Sequence, residues 1–458
     1  MKETREHWGS KLGFLLAAIG SAIGLGVLWK FPYTVGQNGG GYFLLAFFIC
    51  IVIIGIPVFV AELLLGRHSQ KAAILSFVET APKYPFWKIA GWLSVLSSFL
   101  IMSFYSVIAG YGLSYVLMSF TKFYEGKTAI EIAKTYEILA SSGDISIFWH
   151  LTFTLITMSI VFSGVRKGIE FWSKIMTRAL FIILFGLFLF SMTLDGFKEA
   201  FTFIFYPNIQ NFHFSSVIEA LGLAFFILSL GQGIMISYGS YMRKDDNIPF
   251  MSLIVGVSVI IVAILSAMVV FPVVFSFGFT PKAGPGLIFQ TLPYLFAKLP
   301  GGVILSIIFF ILFVFTALTS AVAFIEVVAT NLMELTKLTR KKAVVIVGAS
   351  TFLFGIPSAL AASGTFFPEW QAIYGMNFLD NMDYLISIWI IPVAGLLTAV
   401  FVGWVMDKNL TKEEFLRGHG NEKIWHPWIF LIRYVVPVLI FVIILQKSGM
   451  VDLDRLIF

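Results

Sequence analysis

Two short glycine-containing runs, each inside a strongly apolar segment, are the stretches of this chain best suited to form a binding site. The first is Gly20-Ser21-Ala22-Ile23-Gly24-Leu25-Gly26-Val27-Leu28-Trp29-Lys30-Phe31-Pro32 and the second is Phe225-Phe226-Ile227-Leu228-Ser229-Leu230-Gly231-Gln232-Gly233. Glycine in a helix interior costs about 1 kcal/mol relative to alanine, so each run favours a break in the helix. At mid-membrane depth, broken backbone is tolerated only where it is buried in protein or lines a cavity. Such a cavity offers backbone dipoles to an ion or a small polar solute.

The same glycines have a simpler interpretation, because small residues also let membrane helices pack closely. The position of the two runs favours the break. They fall in the first and sixth of the predicted membrane spans, which are corresponding positions of two five-span halves. Interrupted helices at matched positions are typical of inverted-repeat transporters whose site lies at the bilayer midplane.

The amino-acid composition indicates an integral membrane protein. Of 458 residues, 59% are hydrophobic and 12% are charged, against roughly 25% charged in soluble domains. Cys50 is the single cysteine, which excludes an intramolecular disulfide and a cysteine metal site. We assign the net charge of +6 to cytoplasmic loops near anionic lipid and not to a nucleic-acid site.

Hydropathy over a window of about 20 residues predicts an all-α polytopic protein with about eleven transmembrane helices. Most Lys and Arg residues fall in the loops that are cytoplasmic if the N-terminus is cytoplasmic, so we expect that orientation in a multi-pass protein of the cell membrane. The domain prediction is one transporter domain over 1–446, with repeats at 8–193 and 217–406, an extra helix at 428–446 and a short tail at 447–458. The predicted spans are 12–35, 41–65, 89–120, 148–164, 169–193, 217–241, 248–277, 301–335, 343–357, 380–406 and 428–446.

Three other functions have weaker support. An enzyme would need a metal cluster or a nucleophile paired with a base, and the six histidines are all expected in loops or near span ends. An ion channel would need a continuous polar pore, whereas the polar groups here cluster at mid-depth. A sensor that binds a solute without moving it remains open, and counterflow of labelled substrate would separate it from a transporter.

The chain resembles the neurotransmitter:sodium symporter family, in particular its bacterial amino-acid transporters of the leucine-transporter type. The resemblance runs from Arg5 to about Arg433 and implies the fold with discontinuous first and sixth helices. The motifs that carry it are Trp8-Gly9-Ser10-Lys11-Leu12-Gly13, Lys30-Phe31-Pro32-Tyr33, Asn38-Gly39-Gly40-Gly41, Gly55-Ile56-Pro57 followed by Glu62, Gly66-Arg67, Tyr105-Ser106-Val107-Ile108-Ala109-Gly110, Ser229-Leu230-Gly231, Ser240-Tyr241 and Leu379-Asp380-Asn381-Met382-Asp383.

The resemblance implies one sodium site. Its ligands would be the carbonyls of Gly20, Ile23 and Thr316 and the hydroxyls of Thr319 and Ser320. Oxygen ligands suit a hard cation. The alternative is that these hydroxyls bond only to the backbone of their own helix.

The sequence departs from the family at the second sodium site. Relatives carry Asn, Thr and Asn at the positions of Val27, Ile227 and Val259, and an aliphatic side chain supplies no oxygen. The polar chloride ligands of animal relatives are also replaced, by Phe47, Leu223, Ile227 and Ala263. We therefore expect sodium-coupled import of a small amino acid or amino-acid-like solute with one sodium ion and no chloride.

The resemblance also implies a substrate site. The N–H groups near Leu25 and Gly26, with the Tyr105 hydroxyl, would hold a carboxylate at the broken helix end. Carbonyls near Phe226 and Ser229 would hold an amine. Gln232 stands where relatives often carry an apolar residue, which indicates a polar or small substrate. The complete predicted set is Ala22, Leu25, Gly26, Ile101, Tyr105, Phe226, Ser229, Gln232, Ser320 and Phe324.

Charged and aromatic residues near the two ends of the site are predicted gates. Lys30 and Asp383, with Tyr105 and Phe226, would close the outer side. Lysine lacks the two-pronged geometry of arginine, so this outer pair should be loose. Arg5, Trp8, Tyr241 and Glu334 would close the inner side. Ordinary surface ion pairing is the alternative for both.

Many relatives carry a proline ten residues after a glycine near the start of the fifth span, and this chain lacks that proline. Here Gly168 is followed by Arg178 at that distance. A helix without proline keeps its hydrogen bonds, so release to the cytoplasm would need another route, such as Arg178 drawing water inward or a moving N-terminal segment.

Overall fold

The computed structural model describes residues 6–206, 213–278, 286–418 and 421–450, and all regular elements in these ranges are helices. In chain order they are α1 Lys11–Ala22, α2 Gly26–Gln37, α3 Gly41–Ser69, α4 Ala73–Thr80, α5 Pro85–Phe120, α6 Ala129–Ser141, α7 Gly143–Phe162, α8 Val165–Ser191, α9 Phe197–Phe205, α10 Phe214–Ile227, α11 Ile234–Gly239, α12 Ile248–Ser276, α13 Leu292–Lys298, which continues a π-helical turn Leu287–Thr291, α14 Gly302–Thr336, α15 Arg340–Ala359, α16 Trp370–Tyr374, α17 Phe378–Val405, α18 Lys408–Leu416 and α19 Glu422–Lys447.

Nine helices within the described ranges are long and apolar enough to cross a membrane: α3, α5, α7, α8, α12, α14, α15, α17 and α19. The pair α1 and α2 meets the same criterion together and bends by 52° at the break between them. The sixth predicted span corresponds to the shorter apolar helix α10 followed by α11. The all-α membrane architecture is therefore confirmed, while the two-repeat relationship and the exact number of spans stay predictions.

The centre of the molecule is built around α14. This helix packs along α5 and contacts α1, α7 and α8, while α11 packs on α3. The interior residues form one continuous hydrophobic cluster that includes both sides of each helix break. Hydroxyl side chains on the neighbouring helices α14 and α5 reach the breaks.

A buried arginine joins three segments at one end of α3. The Arg67 side chain is fully buried and its Nε donates to Glu414 Oε2 of α18 at 3.0 Å, while its Nη1 donates to the Asp246 carbonyl oxygen at 2.5 Å. Burial alone would raise the pKa of the Glu414 carboxyl, but the hydrogen bond with His68 and the charges of Arg67 and Arg417 hold it below its usual value. Because a buried charge is costly when unpaired, these contacts fix α18 against α3.

The expectation that every histidine lies in a loop or near a span end was wrong for His150. This residue is fully buried within α7, which begins at Gly143 and not near 148. Its Nδ1 lies 2.9 Å from the Ser106 hydroxyl and its Nε2 lies 3.0 Å from the Phe352 carbonyl oxygen. His150 therefore connects α7 to α5 and α15.

Candidate binding site at the two helix breaks

The first break follows Ala22. Helix α1 ends with the Ile23 N–H donating to the Ile19 carbonyl oxygen at 2.8 Å, and two residues further on the Leu25 N–H donates to the Tyr105 hydroxyl at 3.2 Å. A Cβ atom at Gly24 would lie only 2.5 Å from Ser320 Oγ. Gly24 therefore allows α14 to approach the break closely. The Tyr105 hydroxyl of α5 supplies a hydrogen-bond partner for the Leu25 N–H at the break.

The second break, between α10 and α11, needs backbone that L-residues rarely adopt. Ser229, Gly231 and Gly233 have φ values of 56°, 69° and 72°. A Cβ at Gly231 would also lie 2.4 Å from the Ile391 carbonyl oxygen of α17. Glycine at 231 is thus required both by the left-handed conformation and by the neighbouring backbone.

Side chains from two other helices satisfy this second break. The Gly231 N–H donates to Glu62 Oε1 of α3 at 2.7 Å. On α5, the Ser97 hydroxyl donates to the Gly231 carbonyl oxygen at 3.2 Å and the Ser98 hydroxyl donates to the Gln232 carbonyl oxygen at 2.6 Å. Buried backbone groups without partners would be costly, so these contacts hold the unwound segment in one conformation.

The two breaks face each other across a small cavity of about 10 Å³. Nine of the ten predicted substrate residues line it, together with Ser21, Gly24 and Ile227. Ile101 is buried in α5 but is not among the lining residues. The lining residues are Ser21, Ala22, Gly24, Leu25, Gly26, Tyr105, Phe226, Ile227, Ser229, Gln232, Ser320 and Phe324.

The predicted sodium ligands come from the end of α1 and the middle of α14, and these segments touch. A Cβ at Gly20 would lie 3.1 Å from the Thr319 Cβ. The Ser320 hydroxyl donates to the Ser21 carbonyl oxygen at 2.9 Å, whereas the Thr319 hydroxyl donates to the Thr316 carbonyl oxygen of its own helix at 2.9 Å. A hydroxyl that donates one hydrogen bond keeps lone pairs for a cation. The oxygens present therefore fit a sodium ion.

The region of the second sodium site is apolar. Val27, Ile227 and Val259 are each at most 2% exposed and belong to the continuous hydrophobic cluster. The Val27 carbonyl oxygen accepts a hydrogen bond from the Ser266 hydroxyl at 3.1 Å. The side chains at these positions offer no oxygen, so they do not fit a dehydrated sodium ion.

The positions that correspond to chloride ligands are also filled by hydrocarbon. Phe47, Leu223 and Ala263 are buried, and the Phe47 ring packs against Phe31 with centroids 4.9 Å apart. Hydrocarbon side chains supply no hydrogen-bond donor for an anion.

The predicted outer pair is in contact. Lys30 Nζ lies 2.7 Å from Asp383 Oδ2 and 2.9 Å from Oδ1, and it stands 4.5 Å from the centre of the Phe226 ring. The side chains of Lys30 and Asp383 are 27% and 29% exposed. The ion pair thus lies directly over an aromatic wall of the cavity and partly reaches solvent.

Of the predicted inner residues, Trp8 lies just before α1, Tyr241 just after α11 and Glu334 near the end of α14. The Trp8 indole donates to the Tyr238 carbonyl oxygen at 3.0 Å, and its ring meets the Tyr241 ring edge-on at 6.1 Å. Glu334 accepts a hydrogen bond from the Ala72 N–H at 3.0 Å. Arg5 lies outside the described residues.

An ion pair that the sequence analysis missed lies beside these inner residues. Arg340 Nη1 is 2.6 Å from Glu326 Oε2, and the Tyr241 hydroxyl donates to Glu326 Oε1 at 2.6 Å. Arg340 was placed in the loop before the predicted span at 343, whereas α15 begins at Arg340 itself. The available signal was the carboxylate of Glu326 within an apolar span, because such a group requires a partner.

Two broken membrane helices that meet at a cavity lined by backbone and hydroxyl groups are typical of solute transporters with discontinuous helices. Comparison with known proteins gives the family. The profile of the Sodium:neurotransmitter symporter family matches residues 5–138 and 122–454. The chain belongs to this family of sodium-coupled symporters, and it is a transporter and not an enzyme.

Individual relatives agree with this assignment. The chain is 36% identical to the uncharacterized sodium-dependent transporter YhdH of Bacillus subtilis, over 97% of this chain and 98% of the relative. It is 26% identical to the sodium-dependent dopamine transporter of Caenorhabditis elegans, over 82% and 71% of the two chains. The crystal structure of MhsT in complex with L-phenylalanine superposes with a TM-score of 0.89 at 38% identity, covering 97% of this chain and 100% of MhsT.

Proposed function

We propose that the protein imports a small amino acid or amino-acid-like solute together with one sodium ion by alternating access. The cavity between the two helix breaks is the observation that carries this proposal. It presents the Leu25 and Gly26 segment, the Tyr105 hydroxyl and the Ser229 segment to one small volume. N–H groups at a helix end suit a carboxylate, and a carbonyl oxygen suits an ammonium group.

One sodium ion follows from the contrast between the two regions. The Gly20 and Ser320 region supplies oxygens from two touching segments, whereas Val27, Ile227 and Val259 supply only hydrocarbon side chains. The replaced chloride positions support transport without chloride.

Alternating access would use the two closed ends. The Lys30 and Asp383 pair would open toward the outside, and the contacts of Trp8, Tyr241 and Glu334 would open toward the cytoplasm. The proposal keeps Arg5 as a further residue of the inner gate. The proposal also includes a location in the cell membrane, a cytoplasmic N-terminus and an arrangement of the helices in two inverted halves.

Uptake into proteoliposomes tests the proposal. Labelled amino acids should accumulate against their gradient when sodium is high outside, and should not accumulate in potassium. Counterflow without any gradient should also occur, because a transporter exchanges substrate. Tight binding without counterflow would instead indicate a sensor, and currents that need no solute would indicate a channel.

A further inference from the structure

Gln232 is the one amide side chain in the wall of the cavity, and packing alone does not account for it. The residue is 1% exposed, and its Oε1 has no hydrogen-bond partner among the described residues. Its backbone is fixed, because its carbonyl oxygen accepts from the Ser98 hydroxyl at 2.6 Å. The side chain is therefore held beside the cavity with unused hydrogen-bonding capacity.

An unpaired buried amide is costly. Leaving such a group without a partner costs about 1–3 kcal/mol, whereas an apolar residue of the same shape has no such cost. The side chains of Phe226 and Phe324, which line the same cavity, offer no strong hydrogen-bonding group. A ligand in the cavity is thus the natural partner of the Gln232 amide.

The part of the ligand that reaches Gln232 follows by elimination. In the proposed function the backbone groups of the two breaks hold the α-carboxylate and the α-amino group, which leaves Gln232 for the side chain of the substrate. The residues lining the cavity include no Asp, Glu, Lys or Arg, so a charged substrate side chain would lack a counter-charge. A neutral group that can donate a hydrogen bond fits the Gln232 Oε1.

We infer that Gln232 selects neutral amino acids whose side chains carry a hydroxyl or a carboxamide, over apolar amino acids of the same size. This inference rests on the proposed function and narrows its substrate class. A site built to hydrogen-bond a substrate group discriminates strongly against the analogue that lacks the group, because its own polar atom is then left unpaired.

Three nearly isosteric pairs test this inference: threonine and valine, asparagine and leucine, and glutamine and methionine. Binding to the purified wild-type protein is measured calorimetrically in sodium. At least one polar member should bind about tenfold or more tightly than its apolar partner. In Gln232→Met, which keeps the length of the side chain, that preference should disappear or reverse.

Ser237→Ala is the matched control. Ser237 Oγ is also buried without a partner among the described residues, but Ser237 does not line the cavity, so this variant should keep the wild-type preference. Sodium-dependent binding in which the apolar members equal or exceed the polar ones in the wild type would overturn the inference and leave the proposed function standing. This comparison needs no variant, so a misfolded Gln232→Met cannot hide the answer. Absence of sodium-dependent binding for every amino acid would overturn the proposed function itself.

Discussion

At the residue scale, the proposed sodium site depends on two neighbouring hydroxyls of α14. Ser320→Ala removes one proposed ligand, and Thr319→Val removes the other with little change of shape. Because a hard cation needs its full set of oxygens, each variant should weaken sodium affinity by about tenfold or more, as one lost contact of roughly 1.4 kcal/mol would. The measurement is a sodium titration of thermal stability in purified protein.

Ser306→Ala is the matched control for this experiment. It lies on the same helix, but its hydroxyl bonds to Ser119 at 2.7 Å, away from the residues lining the cavity. Its sodium affinity should equal that of the wild type. Thr319 does not line the cavity, so the threonine variant also separates sodium binding from substrate contact. Wild-type sodium affinity in both Ser320→Ala and Thr319→Val would remove the assignment of the sodium site.

Individual contacts differed in how far the sequence could predict them. Lys30 and Asp383 were paired in advance because the resemblance places both beside the site, and they are in contact. The partner of Glu326 was missed, since the 14-residue separation from Arg340 crosses a helix boundary that hydropathy located three residues too late. His150 was misplaced for the same reason. Errors of a few residues at span ends therefore changed which polar side chains were thought to be buried.

At the element scale, the second break depends on Gly231. Alanine there would enter left-handed backbone, which costs about 1–2 kcal/mol, and would place its Cβ 2.4 Å from the Ile391 carbonyl oxygen. We expect Gly231→Ala to lower the thermal midpoint and to abolish uptake.

Gly186→Ala gives the comparison for that variant. Gly186 lies within α8, and a Cβ there would meet nothing within 4 Å. Alanine should keep uptake and leave stability unchanged or raise it by up to about 1 kcal/mol. Normal uptake by Gly231→Ala would show that the break does not need its left-handed glycine.

Helix α8 gives a second prediction at this scale. It runs without interruption from Val165 to Ser191 although it begins in a π-helical turn. Because the proline of many relatives is replaced by Arg178, amides over 171–178 should exchange slowly with deuterium in both sodium and potassium. Arg178→Pro should speed their exchange. Fast exchange of this stretch in the wild type would contradict the prediction.

The contacts of α8 favour a moving N-terminal segment over water drawn in by Arg178. Arg178 is exposed, whereas the Thr177 hydroxyl is buried and donates to the Leu16 carbonyl oxygen of α1 at 2.9 Å. Nearer the start of α8, the Glu170 carboxylate accepts a hydrogen bond from the Gly9 N–H at 2.6 Å. Opening the inner side would therefore separate α1 from an intact α8.

The order of the helices was largely predictable, because long apolar segments are a strong signal. The broken first and sixth helices were predictable from glycine spacing. The hydrogen bonds that hold the second break were not predictable, because those of Glu62, Ser97 and Ser98 join residues more than 130 positions apart in the chain. Ile101 was expected in the cavity wall and is buried nearby instead, a distinction that depends on helix rotation.

At the scale of the whole molecule, the proposed absence of a second sodium site would change the coupling of transport. In the family that ion touches the substrate carboxylate, so here the carboxylate would rest on helix-end N–H groups and Tyr105 alone. A charge-assisted contact in a low-dielectric site can be worth a few kcal/mol. The chain should therefore bind its substrate more weakly, or bind one that needs less anionic stabilisation.

Exchange of chloride for gluconate gives a prediction at the same scale. Since Phe47, Leu223 and Ala263 are buried hydrocarbon, the rate and extent of sodium-driven uptake should not change. The transporter should still require sodium in the gluconate buffer. A fall in uptake that chloride restores would show an anion site elsewhere in the protein.

The number of sodium ions moved with each substrate decides whether the protein has one sodium site or two. The reversal potential of substrate flux in proteoliposomes, measured across a series of sodium gradients, gives this number. We predict one ion per substrate and a Hill coefficient for sodium near one. A reversal potential that requires two ions per substrate, with a Hill coefficient approaching two, would contradict this prediction and would show that a second site survives despite Val27, Ile227 and Val259.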